Sequence, residues 1–159
     1  MEQITENGIT YEVITDADGS KYWYRNGEQH RVDGPAIERA NGDKVWYLDG
    51  TLHRVDGPAY EGADGSKYWY LNGERHRVDG PAIERANGDK VWYLNGKEHR
   101  VDGPAIEWSD GTKEWYLNGG AVPKEAIILL EIFKDNKEIA VQYIASEEIG
   151  YLAQIAIDS

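Results

Sequence analysis

The 159-residue sequence contains no cysteine, which excludes disulfide frameworks, thiolate metal sites and cysteine nucleophiles. It also has no apolar run of about 18 residues, so we expect no membrane-spanning segment. Residues 1–10 lack the basic and apolar regions of a secretion signal. Together these absences predict a cytoplasmic protein.

Positive charge is scarce as well. Lys and Arg number 17 against 29 Asp and Glu, and the formal net charge is −12. Such a chain suits neither the phosphates of nucleic acid nor an anionic membrane surface, so we expect neither as a partner. Residues 16–119 hold 14 basic and 19 acidic residues, so this central part is mixed in sign.

The aromatic residues are strongly skewed, with six Trp and eleven Tyr but one Phe. The skew has its origin in a repeat of 23 residues. All four histidines and four of the five prolines also keep this spacing. Five Trp-Tyr pairs mark the repeat: Trp23-Tyr24, Trp46-Tyr47, Trp69-Tyr70, Trp92-Tyr93 and Trp115-Tyr116. A fixed period of this kind determines the architecture.

A longer period is present too. Residues 17–59 match residues 63–105 at all but five positions, which indicates that a two-unit block was duplicated. Identity between units therefore reflects copying. It does not by itself mark a residue as functional.

Each unit predicts an antiparallel β-hairpin. In one unit, residues 36–39 form a first strand, Asn41-Gly42 a type I′ turn, and residues 44–48 a second strand rich in β-branched and aromatic residues. Asp64-Gly65 predicts the same turn in the next unit. A second Asn-Gly or Asp-Gly pair reverses the chain again before an HRVDGP segment. We therefore predict a mainly β fold, in which repeated antiparallel β-hairpins form an elongated twisted sheet or solenoid.

Strand alternation places Trp46 and Leu48 on one face and Val45 and Tyr47 on the other. Each face then carries a row of aromatic side chains. We expect the Trp row to be buried and the Tyr row to be the more exposed one, because a tyrosine hydroxyl can reach water.

The two ends of the chain differ from the repeat, as the caps of a solenoid do. Residues 1–15 predict a degenerate capping hairpin, residues 16–120 the five-unit repeat, and residues 121–159 a region rich in Ile, Leu and Ala. Pro123 suits the first turn of a helix, and Ser146 suits an N-cap. We therefore predict a small C-terminal α-helical cap over the end of the sheet.

The histidines are the first candidates for chemistry, yet all four are copies of one repeat position. Units that advance by about 10 Å place them too far apart to share a metal with bonds of about 2 Å. A structural role is the favoured interpretation, and partner contact is the alternative. The sequence contains no recognised catalytic motif, so we predict no enzyme activity, no catalytic residues, no metal and no cofactor.

The candidate partner-binding residues are the repeated tyrosines and arginines, since an exposed aromatic surface can stack against a partner's side chains. They are Tyr24, Tyr47, Tyr70, Tyr93, Tyr116, Arg31, Arg54, Arg77 and Arg100.

Two signatures, WYLNG at residues 92–96 and HRVDGPA at residues 99–105, resemble MORN-like repeats of the WYxNG/HRxDGPA type found in tailed bacteriophages. The resemblance covers residues 16–119. It implies antiparallel hairpins in an extended sheet and a binding role without a reaction. Standard MORN repeats place Gly and Tyr differently and lack HRxDGPA.

The sequence leads to three hypotheses about function. The favoured one is a non-catalytic protein-interaction module, a phage protein that binds and inhibits a host defence protein in the host cytoplasm. A choline- or glycan-binding hairpin repeat is an alternative, because WYLNG is similar to the WYYLN of such repeats. A structural or assembly component that pairs through sheet edges into a homo-oligomer is the third.

Overall fold

The computed structural model describes residues 1–123 and 126–127, and this part of the chain consists mainly of short β-strands. In chain order they are β1 (Glu2–Glu6), β2 (Ile9–Thr15), β3 (Lys21–Arg25), β4 (Glu28–Gln29), β5 (Ile37–Glu38), β6 (Lys44–Val45), β7 (Tyr47–Leu48), β8 (Thr51–Leu52), β9 (Tyr60–Glu61), β10 (Lys67–Tyr68), β11 (Tyr70–Leu71), β12 (Glu74–Arg75), β13 (Ile83–Glu84), β14 (Lys90–Val91), β15 (Tyr93–Leu94), β16 (Lys97–Glu98), β17 (Ile106–Glu107), β18 (Lys113–Glu114), β19 (Tyr116–Leu117) and β20 (Gly120–Ala121). Ala126 and Ile127 are helical, and the rest of the predicted C-terminal helical cap lies outside the described residues.

One long antiparallel sheet runs through the described part of the chain. Its strand order is β1-β2-β3-β5-β6-β9-β10-β13-β14-β17-β18, and β4 pairs with β3. From β5 onward each unit adds two strands, so that Val45 lies opposite Ile37 of its own unit and opposite Tyr60 of the next. The predicted mainly β fold of repeated antiparallel hairpins is confirmed.

From the second unit onward the predicted second strand is divided at its tryptophan, whereas β3 runs through Trp23 without a break. The N–H of Trp46 donates to the carbonyl of Ala59 (2.8 Å), and its carbonyl accepts the N–H of His53 (3.2 Å). Because these two bonds lead to different partners, β6 pairs within the long sheet while β7 pairs with β8. The described chain has four such short hairpins: β7-β8, β11-β12, β15-β16 and β19-β20.

The two kinds of turn differ in their backbone geometry. In the short hairpins both turn residues have positive φ, as at Asn72 (51°) and Gly73 (83°), which fits a type I′ turn. At the turns that the repeat contributes to the long sheet only the glycine does, as at Gly42 (100°), whose N–H donates to the carbonyl of Arg39 (2.9 Å). The type I′ turns predicted at Asn41-Gly42 and Asp64-Gly65 are therefore wrong. A three-residue loop with a left-handed glycine replaces them. The turn between β1 and β2 differs from these, because both Asn7 (47°) and Gly8 (81°) have positive φ.

Consecutive units are joined at the turns of the long sheet by a row of buried polar side chains, which we call the serine–aspartate row. The carboxylate of Asp43 accepts the N–H of Ala63 (2.9 Å), and the hydroxyl of Ser66 accepts the N–H of Ala86 (3.0 Å). Ser and Asp alternate along the row, which consists of Ser20, Asp43, Ser66 and Asp89. Each member satisfies an amide of the next unit that the sheet leaves unpaired.

The Trp row and the Tyr row are buried to a similar extent. Trp23 is 4% exposed, but the other four repeat tryptophans and all five repeat tyrosines are half-buried. The predicted contrast between a buried Trp row and an exposed Tyr row is therefore wrong. The division of the strand at the tryptophan interrupts the alternation on which that contrast depended. The innermost positions belong instead to the alanines of the GPA segments: Ala36, Ala59, Ala82 and Ala105.

The first hairpin, β1 with β2, continues the long sheet and holds the largest fully buried side chain, Tyr11. Tyr11 packs with Val13 and Trp23, and its ring stacks on that of His30 at a centroid distance of 6.2 Å. At the far end of the repeat, a second small cluster contains Leu117. Both ends of the described sheet therefore have apolar packing of their own.

Candidate functional site

Four loops with the sequence HRVDGP follow the short hairpins, one per unit. They cover residues 30–35, 53–58, 76–81 and 99–104. Each loop ends where the chain re-enters the long sheet. We call the surface that these loops form together the loop face.

Each loop arginine lies over the tryptophan of its own unit. The guanidinium carbon of Arg54 is 3.9 Å from the ring centroid of Trp46, a distance typical of cation–π contact. The same group donates to the carbonyl of Pro58 (3.2 Å) and to the carboxylates of Glu61 (2.8 Å) and Asp56 (3.0 Å). Arg77 and Arg100 repeat all four contacts.

The loop glycine lets this arginine approach the backbone closely. A Cβ added at Gly57 would lie 2.9 Å from the guanidinium carbon of Arg54, closer than real Cβ contacts come. The predicted partner-binding arginines are therefore engaged in contacts with their own loops, with the tryptophan of their own unit and with a glutamate of the following strand. The hydrogen bond from Arg54 also lowers the pKa of Asp56 below its usual value, as Arg77 does for Asp79, so both carboxylates stay charged at neutral pH.

The first loop is held by the N-terminal hairpin instead. Arg31 donates through two nitrogens to the carboxylate of Glu6 (3.0 and 2.8 Å), and Asp33 accepts a hydrogen bond from the amide of Asn7 (2.7 Å). Arg31 still lies over its tryptophan, Trp23, at 4.2 Å. The hairpin thus takes the place that a preceding unit would have.

The repeated histidines hold the turns of the short hairpins. The Nδ1 atom of His53 lies 3.1 Å from the backbone nitrogen of Asn72 in the next unit and 2.9 Å from the side-chain Oδ1 of that residue. It accepts the N–H when unprotonated and donates to Oδ1 when protonated, because one ring nitrogen cannot do both. The backbone contact recurs from His30 to Asp49, His76 to Asn95 and His99 to Asn118, and Nδ1 of His30 also lies 2.8 Å from the carboxylate of Asp49. We call these four residues the histidine row. Within residues 1–123 and 126–127, no group of three or more His, Asp or Glu is placed to hold a metal ion.

The predicted tyrosines form a row beside the short hairpins, and some of their hydroxyls are engaged. Tyr93 donates to Glu98 (2.7 Å) and Tyr116 to Glu114 (3.1 Å), while Arg75 reaches the hydroxyls of Tyr70 (3.3 Å) and Tyr93 (3.4 Å). Burial, together with the bond to Glu98, raises the pKa of Tyr93. Tyr24 and Tyr47 are half-buried like the others.

The exposed apolar side chains of the loop face were missed at the sequence level. Five large apolar residues are exposed in the part of the chain that the structure describes: Met1, Val32, Val55, Val78 and Val101. Val55 and Val78 are the most exposed of the four loop valines, at 82% and 83%. The available signal was a β-branched residue recurring every 23 positions inside an otherwise polar loop.

An open cleft of about 580 Å³ separates the second and third loops. Residues 54–58 and 76–79 form its two sides, and Trp69 and Leu71 of the intervening hairpin also line it. Asp56 is 84% exposed while its partner Arg54 is 21% exposed. The charge that faces the solvent here is therefore negative, because the positive charge is covered.

A comparison with protein-family models and with characterised proteins finds no match for this chain. Within the residues that the structure describes, no helix is long and apolar enough to cross a membrane. What the chain can do is therefore argued from the surface itself. That surface combines a row of exposed valines, a row of exposed aspartates beside them, and a cleft between the second and third loops.

Proposed function

We propose that the protein is a non-catalytic protein-interaction module and that its partner docks on the loop face. The observation that carries this proposal is the row of exposed valines. A side chain such as Val55, with most of its surface in water, adds nothing to the packing of the repeat. Apolar groups in regular array beside clefts are typical of surfaces that bind another macromolecule.

The contacts that the other repeated residues make support the same proposal. Arg54 and its equivalents stabilise their own loops, and the histidine row stabilises the neighbouring units. A scaffold whose polar side chains fasten one unit to the next presents its loops in a rigid arrangement. Rigid presentation lowers the entropy lost when a partner binds.

The two alternative functions have weaker support. Sugar or choline binding needs open aromatic faces, yet a guanidinium lies over the rings of Trp46 and Trp69. Assembly through the sheet edge could use β1, which lies at one end of the strand order. Antiparallel pairing of two β1 strands about Ile4 would bring Glu2 of each copy opposite Glu6 of the other, which is unfavourable.

The proposal is tested by capture of a partner from a bacterial lysate, the host that the phage-type resemblance implies. We expect the wild-type protein to retain one stoichiometric partner and the double variant Val55→Ser/Val78→Ser to lose it. The matched control is Ala63→Ser/Ala86→Ser, which makes the same kind of change at exposed turns of the long sheet. Retention by the valine variant, or recovery of chaperones alone by the wild type, would contradict the proposal. Inhibition of a host defence protein stays a prediction.

A further inference from the structure

We infer that the partner presents an amphipathic α-helix to the loop face, with one apolar side chain every seven residues and basic side chains beside it. This inference rests on the proposed function and names the chemistry of the partner. It depends on three features of the loop face: its period, its exposed charge and the alternation of valine with aspartate.

The period of the loop face fits a helix. Each unit adds two strands to the long sheet, so consecutive loops are separated by about 10 Å. Seven residues of an α-helix span about 10.5 Å and return the side chain to nearly the same face. A helix lying along the row of loops therefore offers one side chain to each successive loop.

The exposed charge of the loop face determines which residues of the partner helix lie beside its apolar side chain. Along the cleft, Asp56 and Asp79 are exposed while Arg54 and Arg77 are largely covered. A partner must therefore bring positive charge to avoid burying unpaired carboxylates. A second copy of this chain, with a net charge of −12, does not meet this need, and neither do residues 124–159, which hold three basic and seven acidic residues.

The alternation of valine with aspartate favours a helix over an extended chain. Three residues of a β-strand also span about 10 Å, but an odd step sends alternate side chains to opposite faces. A polyproline helix advances about 9 Å in three residues and presents only one of the three on a given face. An α-helix presents several side chains per heptad on one face, so it can meet a valine and an aspartate in every unit.

The test uses synthetic peptides and the full-length protein, with binding measured by fluorescence anisotropy of the labelled peptide. The first peptide has three heptads of Ala and Lys with one Leu at the same position of each heptad. The second has the same composition with the Leu residues distributed around the helix. A third replaces Lys by Glu, and a fourth carries Pro at every third position with Lys between.

We expect the first peptide to bind most tightly, and we expect its affinity to fall about tenfold in Val55→Ser/Val78→Ser, as the loss of two apolar contacts would produce. Affinity should fall also in Asp56→Asn/Asp79→Asn, where the asparagine oxygen can still accept the bond from the arginine. It should be unchanged in Ala63→Ser/Ala86→Ser.

Equal binding of the second peptide would overturn the helical register, and equal binding of the third would overturn the basic flank. Tighter binding of the fourth would assign the loop face to an extended proline-rich segment instead. Failure here is distinct from failure of the proposed function. If the valine variant loses the lysate partner and no helical peptide binds, only the helix inference falls; if that variant keeps the lysate partner, the docking surface itself is wrong.

Discussion

Two rows of polar side chains join consecutive units, and they differ in composition. The histidine row lies at the turns of the short hairpins and repeats one residue type, whereas the serine–aspartate row lies at the turns of the long sheet and alternates Ser with Asp. In both rows a side-chain acceptor takes a backbone N–H of the next unit. The serine–aspartate row shows that either a hydroxyl or a carboxylate oxygen can accept this N–H at the turns of the long sheet.

The rows also differ in what surrounds them. The Nδ1 atom of His76 lies 3.2 Å from the backbone nitrogen of Asn95 and 2.8 Å from its side-chain Oδ1, so the ring can bond either group according to its tautomer. The hydroxyl of Ser66 accepts the N–H of Ala86. The histidine row also lies next to the stacked arginines and tryptophans that support the loop face.

The largest effect is expected from removing an aromatic ring beside the histidine row. Trp69 accepts the N–H of His76 through its carbonyl and supports Arg77 through its ring. We expect Trp69→Ala to lower the free energy of unfolding by about 2–4 kcal/mol, somewhat less than for a fully buried tryptophan. Urea unfolding followed by circular dichroism measures it. A change near zero would mean that the ring and its arginine contribute nothing to the fold.

A smaller loss is expected from the histidine row itself. His76→Ala removes the acceptor for the N–H of Asn95, and we expect it to lower the free energy of unfolding by about 1–3 kcal/mol. The same urea titration applies. His76→Gln, which restores an acceptor, is expected to lose less.

The equivalent change in the serine–aspartate row tests whether the two rows contribute differently to stability. Ser66→Ala deletes the bond that the hydroxyl accepts from Ala86 and the one that it donates to Asp64 within its own turn, and it should lower the free energy of unfolding by about 0.5–1.5 kcal/mol. A greater loss for Ser66→Ala than for His76→Ala would reverse the ranking of the two rows.

A pH-dependent effect is expected from making the serine–aspartate row uniform. Hydrogen bonds from the backbone of Ser109 and from Asn87 lower the pKa of Asp89 from 3.8 to about 2, and those from Ala63 and Asn41 lower the pKa of Asp43. A lowered pKa in the folded state adds stability above the unfolded value of 3.8, and this stability is lost as the pH falls towards 2. Asp43→Ser/Asp89→Ser should therefore be less stable than the wild type at pH 7, and the difference should narrow as the pH falls towards 2.

The melting temperature as a function of pH checks this expectation. Between pH 4 and pH 2, approximately the interval of the Asp89 shift, the double variant should lose less stability than the wild type. It keeps the acid sensitivity of Asp56 and Asp79, whose pKa values are also lowered. Identical pH profiles would show that the serine–aspartate row carries no acid sensitivity.

The candidate site was predicted less well than the fold. The sequence indicated the tyrosines and arginines of the repeat, but the structure engages Arg54 and its equivalents in contacts inside the repeat. Arg54 pairs with the loop carboxylate of Asp56 and with Glu61 of the following strand. The exposed valines were missed, because periodicity alone does not distinguish an apolar residue that packs from one that faces water.

Local features were determined by the sequence itself. The period of 23 residues, the antiparallel hairpins and the Asn-Gly turns of the short hairpins depend on residues close together in the chain, where turn propensity and strand pattern decide the outcome. Only the tertiary structure decided the division of each strand at its tryptophan, the stacking of arginine on that ring and the bond from each histidine to the next unit. Each of these depends on which unit lies beside which, and that order arises when identical hairpins pack side by side.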